Sequence, residues 1–155
     1  MGFWHNLKLR FQPPRINDPD FGQLTYMYVS NHPERSYWEG EWPFPGLGHK
    51  VAIALTGSEE GPDPRYREFY LNLPGRLNRI IGLARPRLAE VFEQRLKLSL
   101  PEDIFSVVKL SSFDVEDPAA TPLKWNVGLE TTGDIWLGIL IPFIDEVAQK
   151  ATVDT

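Results

Sequence analysis

The feature that most constrains the fold is a change of hydrophobic period along the chain, from two to 3.6 and back to two. Residues 22–29 put Leu24, Tyr26 and Tyr28 on one face and Gln23, Thr25 and Met27 on the other, an alternation that a pleated strand turns into one apolar surface. Asn17, Asp18, Pro19 and Asp20 ahead of it read as a turn. Residues 37–44 repeat the alternation, with Trp38, Gly40, Trp42 and Phe44 against Tyr37, Glu39 and Glu41, and residues 50–56 do so with Val51, Ile53 and Leu55. Short loops between three successive strands predict an antiparallel meander.

The period changes after Gly61. Asp63 is placed to cap free amides, and Pro64 suits a first helical position where no donor is needed. Tyr66, Phe69, Tyr70, Leu73, Leu77, Ile80, Ile81 and Ala84 then recur at intervals of three and four, giving one apolar stripe. Pro74 and Gly75 are expected to divide or kink this helix, and Pro86 to begin a second one with Leu88, Val91, Phe92 and Leu96 inward. Period two returns at residues 123–130, where Leu123, Trp125, Val127 and Leu129 alternate with Lys124, Asn126, Gly128 and Glu130. A turn at residues 131–134 leads into residues 135–143, with Ile135, Leu137, Ile139, Ile141 and Phe143 on one side and Trp136, Gly138 and Leu140 on the other. A strand apolar on both faces is central or covered. Residues 105–116 are strand-like too, but Val108 and Leu110 differ in parity from Phe113 and Val115, which a bulge near Ser111 and Ser112 resolves.

The expected fold is therefore α+β: a mostly antiparallel sheet of about six strands, in the order three strands, two helices, three strands, with the helices on one face. With 155 residues, 42% hydrophobic and 24% charged, the chain suits a single domain over residues 1–155. Residues 1–17 read as an N-terminal arm and residues 145–155 as a polar tail without strong structure. Phe3, Trp4, Leu7, Leu9 and Phe11 give the arm an amphipathic dress. Packing on its own domain is the preferred reading, with membrane or partner contact as the alternative.

Charge is unevenly spread. Residues 65–97 hold eight Lys or Arg against three Glu, while the remainder has eight cationic and 18 acidic side chains. A net charge of −5 argues against a phosphate-backbone binder, and most of the clustered cations fall off the apolar stripe, so no nucleic-acid partner is expected. The absence of cysteine removes thiolate chemistry and disulfides and suits a reducing cytoplasm. The apolar stretch 139–144 is short and interrupted by Pro142, so no membrane span is expected, and the N-terminus carries no export or lipidation signal.

No reaction signature stands out. His5, His32 and His49 lack companions at metal-ligand spacing, no Gly-x-Ser-x-Gly elbow occurs, and Gly57 to Gly61 encloses Glu59 and Glu60, which repel phosphate. No catalytic residue, metal or cofactor is assigned. Glu39 and Glu41 project from one strand face about 6 to 7 Å apart, a separation compatible with glycosidase pairs, and Tyr37 shares that face. Acidic residues on the solvent face of an antiparallel strand are also commonplace. With Asp114, Glu116, Asp117, Glu130 and Asp134 they suggest an acidic sheet face opposite a basic helical layer. The binding candidates are Tyr37, Glu39, Glu41, Asp114, Glu116 and Glu130. Trp38, Trp42, Trp125 and Trp136 are expected in the core, and any aromatic facing away from the helices would be a binding or dimer surface.

The run Asp18, Pro19, Asp20, Phe21, Gly22, Gln23, Leu24, Thr25, Tyr26, followed by Tyr37, Trp38, Glu39, Gly40 and Glu41, resembles the opening of small bacterial α+β domains of unknown function. Some similar domains accompany toxin systems as immunity proteins. The resemblance covers about the first third of the chain and implies a bacterial origin and a non-enzymatic role. The leading expectation is a cytoplasmic protein that binds another protein, itself basic, in the manner of an immunity-type neutraliser. The alternatives are a carboxylate-based hydrolase acting on sugars and a self-associating domain, for example a homodimer.

Overall fold

The computed structural model describes residues 2–155, which form two compact units divided in sequence between Asn72 and Leu73. The expected α+β class is observed, but the described residues contain ten strands and three α-helices in place of six and two. Most of the excess comes from the two chain ends, which carry ordered elements where an arm and an unstructured tail were expected, and one further short strand lies at Gly61–Pro62.

The first unit contains α1 (Phe3–Phe11), β1 (Arg15–Asp18), β2 (Gly22–Met27), β3 (Tyr37–Pro43), β4 (Lys50–Ser58), β5 (Gly61–Pro62) and α2 (Pro64–Leu71). Its strands pair antiparallel in the order β1-β2-β3-β4, with β5 on the end of β4. The turn between β1 and β2 forms because Asp18 Oδ1 accepts hydrogen bonds from the amides of Asp20 and Phe21, at 2.8 and 3.0 Å, and because Gly22 tolerates a φ of 80°. Leu24, Tyr26, Trp38, Trp42, Val51, Ile53 and Leu55 are all buried on one face, as their alternation requires. Gly40 belongs to that face because a Cβ there would lie 2.7 Å from both the Gln23 carbonyl oxygen and Leu24 Cδ2. Phe21 packs edge-on against Trp42 at 5.2 Å and Tyr70 at 6.3 Å, so α2 closes the aromatic core. The Tyr70 hydroxyl donates to the Ala54 carbonyl at 2.7 Å, and Trp38 Nε1 to that of Ser58 at 2.8 Å, which satisfies the polar atoms these rings carry inward. Asp63 caps α2 as expected, accepting from the Arg65 amide at 2.9 Å.

The second unit contains α3 (Leu77–Val91), β6 (Val108–Val115), β7 (Lys124–Thr131), β8 (Gly138–Ile144), β9 (Val147–Ala148) and β10 (Thr152–Asp154). Pairing is antiparallel in the order β6-β7-β8, with β9 and β10 both on β8. The doubly apolar β8 is thus central in its unit, and the tail read as unstructured supplies the two strands on its far side. The bulge falls where the parity conflict placed it, between Leu110 and Ser112, and Gly128 opposite leaves room for the Ser111 and Ser112 hydroxyls. Pro74 and Gly75 form a separate short turn between α2 and α3, as expected. Pro86 does not begin a helix. It lies inside α3, whose buried stripe Ile80, Ala84, Leu88 and Val91 runs through it unbroken. Arg85 donates to the carbonyls of Pro101 and Glu102, and Arg87 Nε to that of Ala148 at 3.2 Å, tying α3 to its surroundings on both sides of the proline.

The cations of residues 65–97 are mostly engaged. Arg67 bridges Asp18 and Asp20 and lies 5.1 Å over the Phe21 ring, Arg79 forms a two-pronged pair with Glu146, Arg76 approaches the same carboxylate, and Arg87 pairs with Glu90. None of these cations is buried, so the layer stays solvated as expected, with its side chains paired within their own units. Among the described residues, no helix is long and apolar enough to cross a membrane.

Candidate functional site

The six residues singled out in the sequence fall in two separate places. Tyr37, Glu39 and Glu41 stand on the face of β3 opposite Trp38 and Trp42. The register sets Tyr37 between Met27 and Thr56, Glu39 between Thr25 and Ala54, and Glu41 beside Ala52. Arg15 lies across from Thr25, so Arg15, Thr25, Glu39 and Ala54 form one row across four strands. A shallow concavity of about 600 Å³ on this face is lined by Arg15, Gln23, Glu39, Glu41, Pro43 and Lys50. Two cations thus accompany the two carboxylates, and the surface is of mixed sign. Glu39 and Glu41 are both exposed, whereas a catalytic acid that is neutral near pH 7 needs withdrawal from water.

Asp114, Glu116 and Glu130 belong to the second unit. Asp114 is half-buried and accepts a 2.6 Å hydrogen bond from Nδ2 of Asn126, its register partner on β7. Burial pushes its carboxyl above the ordinary carboxylate range, and the Asn126 hydrogen bond opposes that rise. Glu130 pairs with Lys109 at 3.3 Å, and Glu116 shares a small surface concavity with Lys124. Each of these three acidic residues therefore has an amide or a cation close by. His5, His32 and His49 join no cluster of metal-ligating side chains among the described residues.

The sequence reading missed a site at the end of α3. There the helix widens into a π turn, Phe92–Leu96, closed by Lys97 in the left-handed region at φ 57°, and the Leu98 amide donates back to the Phe92 carbonyl at 3.2 Å. Such turns recur at functional sites because they re-aim side chains that a regular helix would stack. Phe92, Leu96 and Leu98, with Val107, Thr132 and Ile135, line an open concavity of about 360 Å³. Asp134 also lines it and is exposed.

The far wall of this cavity is a loop built around one threonine. The buried Thr131 hydroxyl donates to the Ile135 carbonyl at 2.7 Å and accepts from the Leu137 amide at 2.7 Å, while the Thr131 amide donates to the Leu137 carbonyl at 3.0 Å. Residues 132–136 are thereby pushed out of the ladder. Ile135, expected on the buried face of a strand, is 61% exposed, and Trp136 is 50% exposed, leaning over Gly138. Leu98 on the opposite wall is 57% exposed. The one sequence signal for this loop is Thr131, Thr132, Gly133 and Asp134, a turn composition continued by side chains too apolar for a loop.

No protein-family model, curated protein or solved structure matches the chain.

Proposed function

We propose that this chain acts by binding another protein, in the manner of an immunity-type neutraliser, through the cavity walled by α3 and residues 131–137. The observation that carries this reading is the exposure of Leu98 and Ile135 on the lining of a concavity of about 360 Å³, with the exposed Trp136 next in sequence. Large apolar side chains held in water contribute little to folding, and exposed Leu98 and Ile135 lining one concavity, followed by an exposed Trp136, have the composition of an interface anchor. The cavity is at the small end of the range for small-molecule sites, and it suits one or two apolar side chains of a partner. Asp134 on its lining offers a carboxylate to a cation beside that anchor, and the net charge of −5 steers a basic partner into encounter. The face carrying Tyr37, Glu39 and Glu41 ranks second, because it is of mixed sign and without a large exposed apolar anchor.

The test is capture of a partner by the tagged chain, beginning with the products of neighbouring genes. The double substitution Ile135→Ser with Trp136→Ala is expected to weaken capture more than tenfold, since anchors of this kind exceed about 2 kcal/mol. Loss of capture by Glu39→Gln with Glu41→Gln, with the loop variant still binding, would move the interface to the first unit. Failure to capture any specific protein would overturn the reading.

A further inference from the structure

Helix α1 leaves most of its apolar side chains in water. Trp4 is 79% exposed, and Phe3 and Phe11 are each 70% exposed. At about 100° per residue, Phe3, Leu7, Phe11 and Trp4 fall within one arc roughly 100° wide. Arg10 flanks this arc on one side and Lys8 on the other, both exposed, and the helix contains no acidic residue. The opposite side is fixed to the first unit. Leu9 is buried there, and His5 Nε2 lies 2.6 Å from Glu59 Oε1. The Phe3 and Trp4 rings meet edge-to-face at 5.6 Å, and the Arg10 guanidinium lies 5.8 Å from the Phe11 ring centre, so the arc is organised as one surface.

We propose that α1 is an interfacial anchor for an anionic bilayer surface, with Phe3, Trp4 and Phe11 entering the acyl boundary and Lys8 and Arg10 meeting lipid phosphates. The favouring observation is charge complementarity in a particular layout. Cations border both edges of an exposed aromatic arc, where long basic side chains reach back to the phosphate level as the rings sink below it. Trp and Phe suit that depth, Trp because it is amphipathic. The negative charge of the whole chain opposes binding weakly, because charges beyond about 8 Å are largely screened at physiological salt. Glu59 is engaged by His5, which lies off the aromatic arc. A single short helix is a reversible anchor and not a permanent one.

The experiment is flotation of the full chain with vesicles, one set of pure phosphatidylcholine and one of equal parts phosphatidylcholine and phosphatidylglycerol. The chain is expected to float with the anionic vesicles and to partition roughly 30-fold less onto the neutral ones, as two surface cations would give. Lys8→Glu with Arg10→Glu is expected to abolish flotation, and so is Trp4→Ser with Phe11→Ser. Thermal midpoints of both variants should match the parent, because the altered side chains are exposed. Failure of the parent chain to float overturns the proposal and leaves the aromatic arc to a protein groove. Equal flotation on both vesicle types, or flotation kept by either double variant, also overturns it.

Discussion

In the first unit Trp38, Trp42, Phe21 and Tyr70 are closed into one aromatic core, whereas in the second Trp136 and Ile135 stand in water only a few residues from the well-packed strand β8. The residue types are alike and both stretches are apolar enough for a strand. The difference lies in what the backbone does around them. On β3 the ladder runs unbroken from Tyr37 to Pro43 against β4 and from Tyr37 to Gly40 against β2, so every second side chain must enter the core. Before β8 the Thr131 hydroxyl takes the places of ladder partners, and the chain bows outward. Apolar area that the fold does not use is what a partner can use, and on that ground the proposed binding role falls to the second region and a structural role to the first.

The strongest way to break this division is to truncate one tryptophan from each region. Trp38→Ala removes a fully buried ring and its hydrogen bond to the Ser58 carbonyl, and the expected loss is about 3–5 kcal/mol in urea denaturation. Trp136→Ala is expected to change stability by no more than about 0.5 kcal/mol. Comparable losses from both would show that Trp136 serves the fold, and the interface assignment would fall.

A smaller effect sharpens the explanation. Thr131→Val keeps the shape of the side chain but leaves the Ile135 carbonyl and the Leu137 amide without their side-chain partner, at a cost of about 1–3 kcal/mol. Thr131→Ser retains the hydroxyl and should recover most of the loss. Amide exchange at Leu137 is the direct readout, accelerated in the valine variant and near normal in the serine one.

Where packing follows local period, the sequence was a good guide. Leu24, Tyr26, Trp38, Trp42, Val51, Ile53 and Leu55 went inward because alternation leaves a strand no other choice, and the Asp63 cap and the bulge at Ser111 and Ser112 rest on equally local rules. What was hidden depends on contacts far apart in the chain. Arg67 meets Asp18 and Asp20 across 49 and 47 positions, and Arg79 meets Glu146 across 67, so a basic segment whose cations stay unburied, as its pattern implies, also carries long-range ion pairs that no local pattern displays. Pro86 shows tertiary override of a local preference: the helix forgoes one amide while its buried stripe and the Arg85 and Arg87 bonds hold it straight through. Strands of two or three residues, such as β9 and β10, are too short to display a period at all. The cavity was invisible for a related reason, since a π turn and a threonine-centred loop have no composition of their own.

The smallest effect concerns Asp114, the one candidate binding residue whose burial raises its carboxyl. A carboxyl whose folded value lies above its unfolded one binds more protons in the native state than in the unfolded one, so its contribution weakens the fold as pH rises out of the ordinary carboxylate range. Asp114→Asn should therefore unfold at a slightly higher temperature than the parent at pH 7, because the new amide oxygen can still accept from Asn126 Nδ2 and the buried charge is gone. The advantage should shrink as the pH is lowered and vanish once the parent's carboxyl is protonated in both states. If Asp114 instead meets a cation of a bound partner, the same variant loses capture while gaining stability. If capture is unchanged, the half-buried carboxylate belongs with the structural residues of its strand, and the binding surface contracts to the cavity and its loop.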